Sequence, residues 1–306
     1  MQTIQYIIKR VILALVSLFA IVTMTFFLMN LMPGDPFMSE KASEESRAIL
    51  IAKYGLDQPV YVQYGRYLKN LAKGDMGTSY VLQKGRDVSQ IITESFQTSM
   101  KLGIRALILA VIVGIILGCV SGLNKDKLPD SIIRIVTSIG ISMPGYVIAS
   151  ILMLVLAVRL GILPVSFNRP GGAVMPIIVL ATYPTCYLAR LTRASILEVM
   201  NQDYLRTERA KGMSELVVVF VHALKNSLIP VITYLGPLTA SILTGGFVAE
   251  SVFNVPGLGR YFVSSISSRD YTMIMGITIF YSALIVFMNL LCDILYKIVD
   301  PRIKFD

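Results

Sequence analysis

The sequence predicts an all-α integral membrane protein with six transmembrane helices, and two observations carry that prediction. Six stretches, 11–34, 106–124, 135–158, 170–189, 226–249 and 271–292, run for 19 residues or more without Asp, Glu, Lys or Arg. A helix rises about 1.5 Å per residue, so about 20 apolar residues cross a hydrocarbon core of about 30 Å. Soluble proteins also bury apolar helices, but a polar face interrupts their hydropathy every few residues. The second observation is where the positive charge falls. Lys9 and Arg10 precede the first run, and Lys125, Lys127 and Arg134 separate the second and third. Six basic residues lie between the fourth and fifth runs, and Lys297, Arg302 and Lys304 follow the sixth. The opposite short connections carry only Arg159 and Arg169, then Arg260 and Arg269. The positive-inside rule then predicts that both termini are cytoplasmic.

The individual helices are expected at about 11–32, 102–123, 135–158, 172–190, 227–249 and 272–292. The first holds 24 uncharged residues and lacks a small-x-small exit, so it reads as a retained span rather than a cleaved signal. The chain is expected in three parts: 1–97, helix 1 with an outward helical segment; 98–299, a transmembrane domain containing a charged cytoplasmic stretch at 201–225; and a tail at 300–306. In the outward segment, Ser43 is expected to cap a helix running to Gly55. Asp57 is expected to cap another, with Pro59 in its first turn, that ends at Gly74. Such a segment either packs over the extracellular mouth of the bundle or docks a delivery protein there.

Composition narrows the function. The net charge of +9 follows topology and lipid headgroups rather than nucleic acid, because the basic residues are scattered among the spans. Cys119, Cys186 and Cys292 lie in different runs at no metal or redox spacing, and His222 is the single histidine. No catalytic constellation, cofactor or metal site is expected on this chain. It also lacks the GxxxxGK[ST] phosphate loop, so any ATP must be used by another polypeptide. Inverted repeats and mid-membrane charges, which mark secondary carriers and ion-coupled pumps, are not seen in the sequence.

Helix-breaking residues are concentrated in three runs: Pro144-Gly145, Pro176 with Pro184, and Pro230 with Pro237 and Gly245-Gly246. Proline removes a helical hydrogen bond, which lipid does not replace, so Pro144, Pro184, Pro237 and Gly245 are candidate breaks lining a passage. Proline and glycine are also simply common in membrane helices.

The stretch from Asp203 to Gly212 reads as a short charged helix. Asp203, Arg206 and Arg209 bring charges of both signs near one face, and Gly212 is placed to end the helix in a left-handed turn. Two readings fit it: a solvated basic loop, or an ordered helix offered to a cytoplasmic partner.

One pattern distinguishes them. Arg206-Thr-Glu-Arg-Ala-Lys-Gly212, nine residues, then His222-Ala-Leu224, resembles the E-A-A-x-x-x-G-x9-I-x-L-P motif of binding-protein-dependent ABC importer permeases. It departs from that consensus at Arg206, Thr207, Glu208, His222 and Lys225. These departures are similar to those of the dipeptide and oligopeptide branch. Met32-Pro-Gly-Asp-Pro36, Tyr54-Gly-Leu-Asp-Gln-Pro-Val-Tyr-Val-Gln-Tyr64, Gly74-Asp-Met-Gly-Thr-Ser79, Glu250-Ser-Val-Phe-Asn-Val-Pro-Gly-Leu-Gly-Arg260 and Arg269-Asp-Tyr271 resemble the same branch.

The resemblance implies a type I importer permease fold and the role of first membrane subunit in a peptide importer. Its partners would be a second homologous permease, two cytoplasmic ATPase subunits that bind ATP and Mg, and an extracellular or periplasmic substrate-binding protein. Asp203, Arg206, Glu208, Arg209, Ala210, Lys211 and Gly212 would form the coupling helix that meets an ATPase. Nickel, glutathione or another small solute are alternative cargoes within the branch. A stand-alone channel or carrier and a non-transporting scaffold are the rival classes.

Overall fold

The computed structural model describes residues 2–31, 49, 51–52 and 55–299, with backbone alone at 2–7, 245 and 292–299. The expected cap at Ser43, most of the helix after it, and the tail at 300–306 lie outside the described residues. Among those described, regular structure is helical apart from an isolated antiparallel bridge between Thr78 and Asp87.

In chain order the helices are α1 Gln2–Leu31, α2 Val60–Leu71, α3 Val88–Leu123, α4 Leu128–Ser142 and α5 Gly145–Leu152, the last continued by the π-helix Met153–Arg159. Then follow α6 Val174–Met200, α7 Asp203–Ala210 and α8 Glu215–Val217, with a second π-helix, Val218–Ala223, leading into α9 Leu224–Ser227. The last four are α10 Ile229–Gly245, α11 Phe247–Val252, α12 Leu258–Ser267 and α13 Tyr271–Val299. Five helical stretches, Ile8–Leu31, Val88–Leu123, Val174–Met200, Ile229–Val252 and Tyr271–Leu291, are long and apolar enough to cross a membrane.

A sixth span exists only if α4 and the helix beginning at Gly145 count together, and these are bent by 108°. The third run is therefore not the straight span expected at 135–158. Proline excludes the α conformation from the residue before it, and Met143 is accordingly extended (φ −79, ψ 127); Pro144 follows at ψ 139 and the helix restarts at Gly145. Pro176 and Pro230 fall in first helical turns, where a missing N–H costs little. Pro184 and Pro237 sit inside continuous helices. Asp57 does not cap α2. Pro59 holds that position at ψ 140, with its carbonyl accepting the N–H groups of Val62 and Gln63.

The chain forms two compact units. Among the described residues the first comprises those within 2–98 and 256–287. Here the amphipathic start of α3 buries Val88, Ile91 and Ile92 against Leu258 of α12 and Met273 and Ile277 of α13. That packing explains why α3 begins at Val88, well before its apolar run. Helix α2 lies on α1 through aromatic rings: Phe26 meets Tyr64 and Tyr67 at centroid distances of 5.2 and 5.6 Å, and the hydroxyls of Thr23 and Tyr64 are 2.7 Å apart. A cavity of about 320 Å³ lies beside them, with Gln63, Asn70, Tyr80 and Thr272 among its lining residues. Burial pushes the Tyr67 phenol above its ordinary pKa, so it stays protonated there.

Among the described residues the second unit comprises 99–255 and 288–299. A close contact within it joins α3 to α6. Gly114, Gly118 and Gly122 share one face of α3, and a Cβ on Gly118 would stand 2.4 Å from Thr192 Cβ and 2.7 Å from the Ala189 carbonyl. Small residues let two membrane helices approach closely where apolar burial supplies no drive. Ala106, Ala110, Ala181, Leu188, Val231, Leu238 and Ile242 form one core of this unit, and Leu102, Ala149, Met175, Val179, Ala249, Phe253 and Val255 another.

Candidate functional site

The charged stretch folds as expected from its sequence: Asp203–Ala210 is a helix, with Asp203 in its first turn and Arg209 in its last, matching the helix dipole. Its end is a Schellman motif. The N–H of Met213 reaches the Glu208 carbonyl at 3.4 Å, that of Gly212 reaches Arg209 at 3.0 Å, and Gly212 takes φ +82. A side chain at Gly212 meets open space, so only the backbone conformation demands glycine.

Leu205 fixes the inner face. It is fully buried with Val218 and Ala223, and Val199 and Met200 at the end of α6 pack on the cluster. Asn226 donates to the Tyr204 hydroxyl at 2.8 Å, tying α7 to α9. Arg209 donates from Nε and Nη2 to the two carboxylate oxygens of Glu215, at 3.0 and 2.8 Å. That guanidinium lowers the pKa of Glu215, and the carboxylate raises that of Arg209.

The outer face stays open. Asp203 and Arg206 make a loose 3.4 Å pair with side chains 94% and 74% exposed. Lys211 bonds the mostly covered Glu208 at 3.0 Å, while Ala210 is exposed. The expected contact residues thus divide. Asp203, Arg206, Ala210 and Lys211 are presented outward, whereas Arg209 and Glu208 are engaged within the chain. Nothing in the sequence pattern marked Glu215 as the partner of Arg209, although six residues separate them.

Behind α7 lies a polar cluster that sequence reasoning missed. Asp130 of α4 is fully buried and accepts Nε and Nη2 of Arg193 in α6 at 2.7 and 2.8 Å. The Ser121 hydroxyl of α3 donates to the same carboxylate at 2.6 Å, and the Asp126 N–H at 3.0 Å. One carboxylate therefore joins three helices, and α6 carries that junction seven residues further to Met200 and α7. Its signal in the sequence was the pair of acidic residues, Asp126 and Asp130, set among Lys125, Lys127 and Arg134.

The candidate helix breaks are dispersed. Pro144 caps α5 and is exposed, Pro184 is buried within α6, Pro237 is exposed on α10, and Gly245 ends α10.

Several apolar spans, interrupted by a charged helix that is anchored on one face and exposed on the other, define a multi-pass membrane protein. The chain belongs to the family of binding-protein-dependent transport system inner membrane components. Residues 110–305 match that family and residues 3–103 match its N-terminal counterpart. It is thus a multi-pass component of the cytoplasmic membrane. It is 41% identical over 305 residues to the oligopeptide transport system permease protein OppB of Haemophilus influenzae, covering 98% of this chain and 99% of the relative. It is 42% identical over 302 residues to the dipeptide transport system permease protein DppB of Bacillus subtilis, covering 98% of each. Among solved structures it resembles an amino acid ABC transporter (TM-score 0.57, 16% identity, 68% of this chain and 94% of the other) and the MetNI methionine ABC transporter (TM-score 0.56, 12% identity, 69% and 97%). At those identities the likeness establishes the fold, an ABC importer permease fold.

Proposed function

We propose that this chain is the permease subunit of an ATP-driven importer that carries oligopeptides or dipeptides into the cytoplasm. The cargo rests on the relatives, which are named as oligopeptide and dipeptide permeases along nearly their whole length. The observation that carries the mechanism is α7, a charged helix whose inner face is anchored and whose outer face is free.

In this reading α7 is the coupling helix and both termini lie in the cytoplasm. Asp203, Arg206, Ala210 and Lys211 meet a cytoplasmic ATPase subunit, and Arg209 and Glu208 hold the helix in shape. A second homologous permease engages a second ATPase. ATP and Mg are bound by those partners, and this chain performs no catalysis. An extracellular or periplasmic binding protein delivers the peptide. Closure of the ATPases displaces α7 as a rigid body, and because Leu205 and Asn226 tie it to the bundle, the displacement reaches the spans and turns the passage from inward- to outward-facing.

Gly212→Val tests the coupling role. A β-branched residue at φ +82 costs about 1–2 kcal/mol of backbone strain and loosens the end of α7. The complex is expected to assemble with normal stoichiometry, while substrate-stimulated ATP hydrolysis and peptide uptake both fall. Wild-type values for both in reconstituted vesicles would refute the assignment.

A further inference from the structure

Three tyrosines of the second unit stand together on α6 and α10. Tyr183 and Tyr187 are one turn apart on α6, their rings stacked at 6.2 Å and 25°. Tyr187 stacks in turn on Tyr234 of α10, at 4.4 Å and 28°. Tyr183 is 49% exposed, and Tyr187 and Tyr234 are half-buried. None of the three hydroxyls bonds to another group among the described residues. Arg190, the next residue along the same face of α6, is exposed and forms no ion pair among the described residues. Pro184 and Pro237 lie within three residues of the tyrosines, and each withdraws a helical N–H donor beside the patch.

The apolar run of α6 ends at Ala189, so by the charge pattern Arg190 stands at the cytoplasmic end of that span, with Tyr187 and Tyr183 about one and two turns further in. A hydroxyl left without a partner in hydrocarbon costs several kcal/mol, so acyl chains are a poor covering for Tyr183 and Tyr234, which lie inside their apolar runs. The chemistry displayed suits a peptide. Phenol hydroxyls donate to and accept from main-chain amides, ring faces receive side chains without reading their identity, and a guanidinium attracts a terminal carboxylate.

We propose that Tyr183, Tyr187 and Tyr234, with Arg190 beside them, form a peptide-contacting patch on the passage that binds main chain rather than particular side chains. This rests on the peptide-importer reading above.

The test uses the assembled importer in vesicles, with Cys119, Cys186 and Cys292 replaced by serine and uptake of a radiolabelled tripeptide verified. In that background, Tyr183→Cys and Tyr187→Cys are expected to react with a charged, water-soluble thiol reagent and to be protected by excess tripeptide. Tyr187→Ala and Tyr234→Ala are expected to reduce tripeptide uptake about tenfold in complexes of normal stoichiometry, and Tyr187→Phe to reduce it less, retaining the ring but not the hydroxyl. Reaction only with a lipid-soluble maleimide, or cross-linking to the second permease without aqueous labelling, would overturn the patch. So would full uptake by both alanine variants; in each of these cases the unmodified importer still moves tripeptide and the importer reading stands. Failure of the unmodified complex to take up any peptide would overturn both.

Discussion

Asp130 and Asp270 are both fully buried carboxylates, and the protein satisfies them by opposite means. Asp130 is neutralised by a guanidinium from another helix. Asp270 receives no arginine among the described residues; it sits at the N-terminus of α13 and accepts the successive N–H groups of Tyr80, Val81 and Leu82 at 3.1, 3.1 and 3.0 Å, with the Ser79 hydroxyl at 2.5 Å. The first arrangement stitches helix to helix and depends on a matched pair of charges. The second clamps a loop onto a helix end and depends on backbone geometry, with the helix dipole and a nest of N–H groups in place of a counter-ion. The difference teaches that a buried charge in this protein marks a junction in either case, but the two junctions should fail differently.

The largest effect is expected at the ion pair. Asp130→Ala strands Arg193 and should cost about 3–5 kcal/mol, read as lost thermal stability of the detergent-purified complex. Adding Arg193→Leu should recover part of that loss, because the stranded charge disappears with it; a double variant no better than Asp130→Ala would show that the pair is not what holds these helices.

Asp270 sharpens the contrast. Asp270→Ala should cost about 1–3 kcal/mol, less than at Asp130, since the half-exposed Tyr80 to Leu82 backbone is open to replacement water. Asp270→Asn should be little better than alanine, because its amide NH2 would face N–H donors. Limited proteolysis within 78–87 would report the loosening, and a fully protected asparagine variant would contradict the cage as described.

The smallest effect belongs to Arg209 and Glu215, which share the bidentate geometry of Asp130 and Arg193 but lie in water. Solvent and salt screen such a pair. The folded-state pKa of Glu215 is lowered by Arg209, so its contribution is present above the ordinary glutamate pKa and is lost as pH falls through the lowered value. Hydrogen exchange across 203–215 should therefore be flat from neutral pH down to mildly acidic, then rise on further acidification, and should increase with salt. Exchange that responded to pH near neutrality instead would point to another group.

Much of this was readable in advance, and the limits were physical. Helix α7 and its left-handed end at Gly212 follow from local chemistry within ten residues, so sequence alone could locate them. The bend at Pro144 was legible as a break, but its 108° was not, because a proline fixes the conformation before it without saying where the next helix packs. Asp57 failed as a cap because Pro59 already supplied the extended residue that a helix start requires. Asp130 meets Arg193 across 63 residues, and Asp270 meets Ser79 across 191. No periodicity spans such separations.

By itself the sequence determined that the chain lives in a membrane, that its spans are helical, and that a charged helix ending at a glycine interrupts them. Hydropathy, charge asymmetry and turn chemistry are properties of short stretches and persist whatever the rest of the chain does. Only the tertiary structure decided which charges are paired and which are offered outward, that glycines 114, 118 and 122 exist to admit α6, and that three tyrosines from two helices share one face. Those are facts of side chains meeting across space. They depend on how helices distant in sequence pack, which the residues of any one helix do not encode.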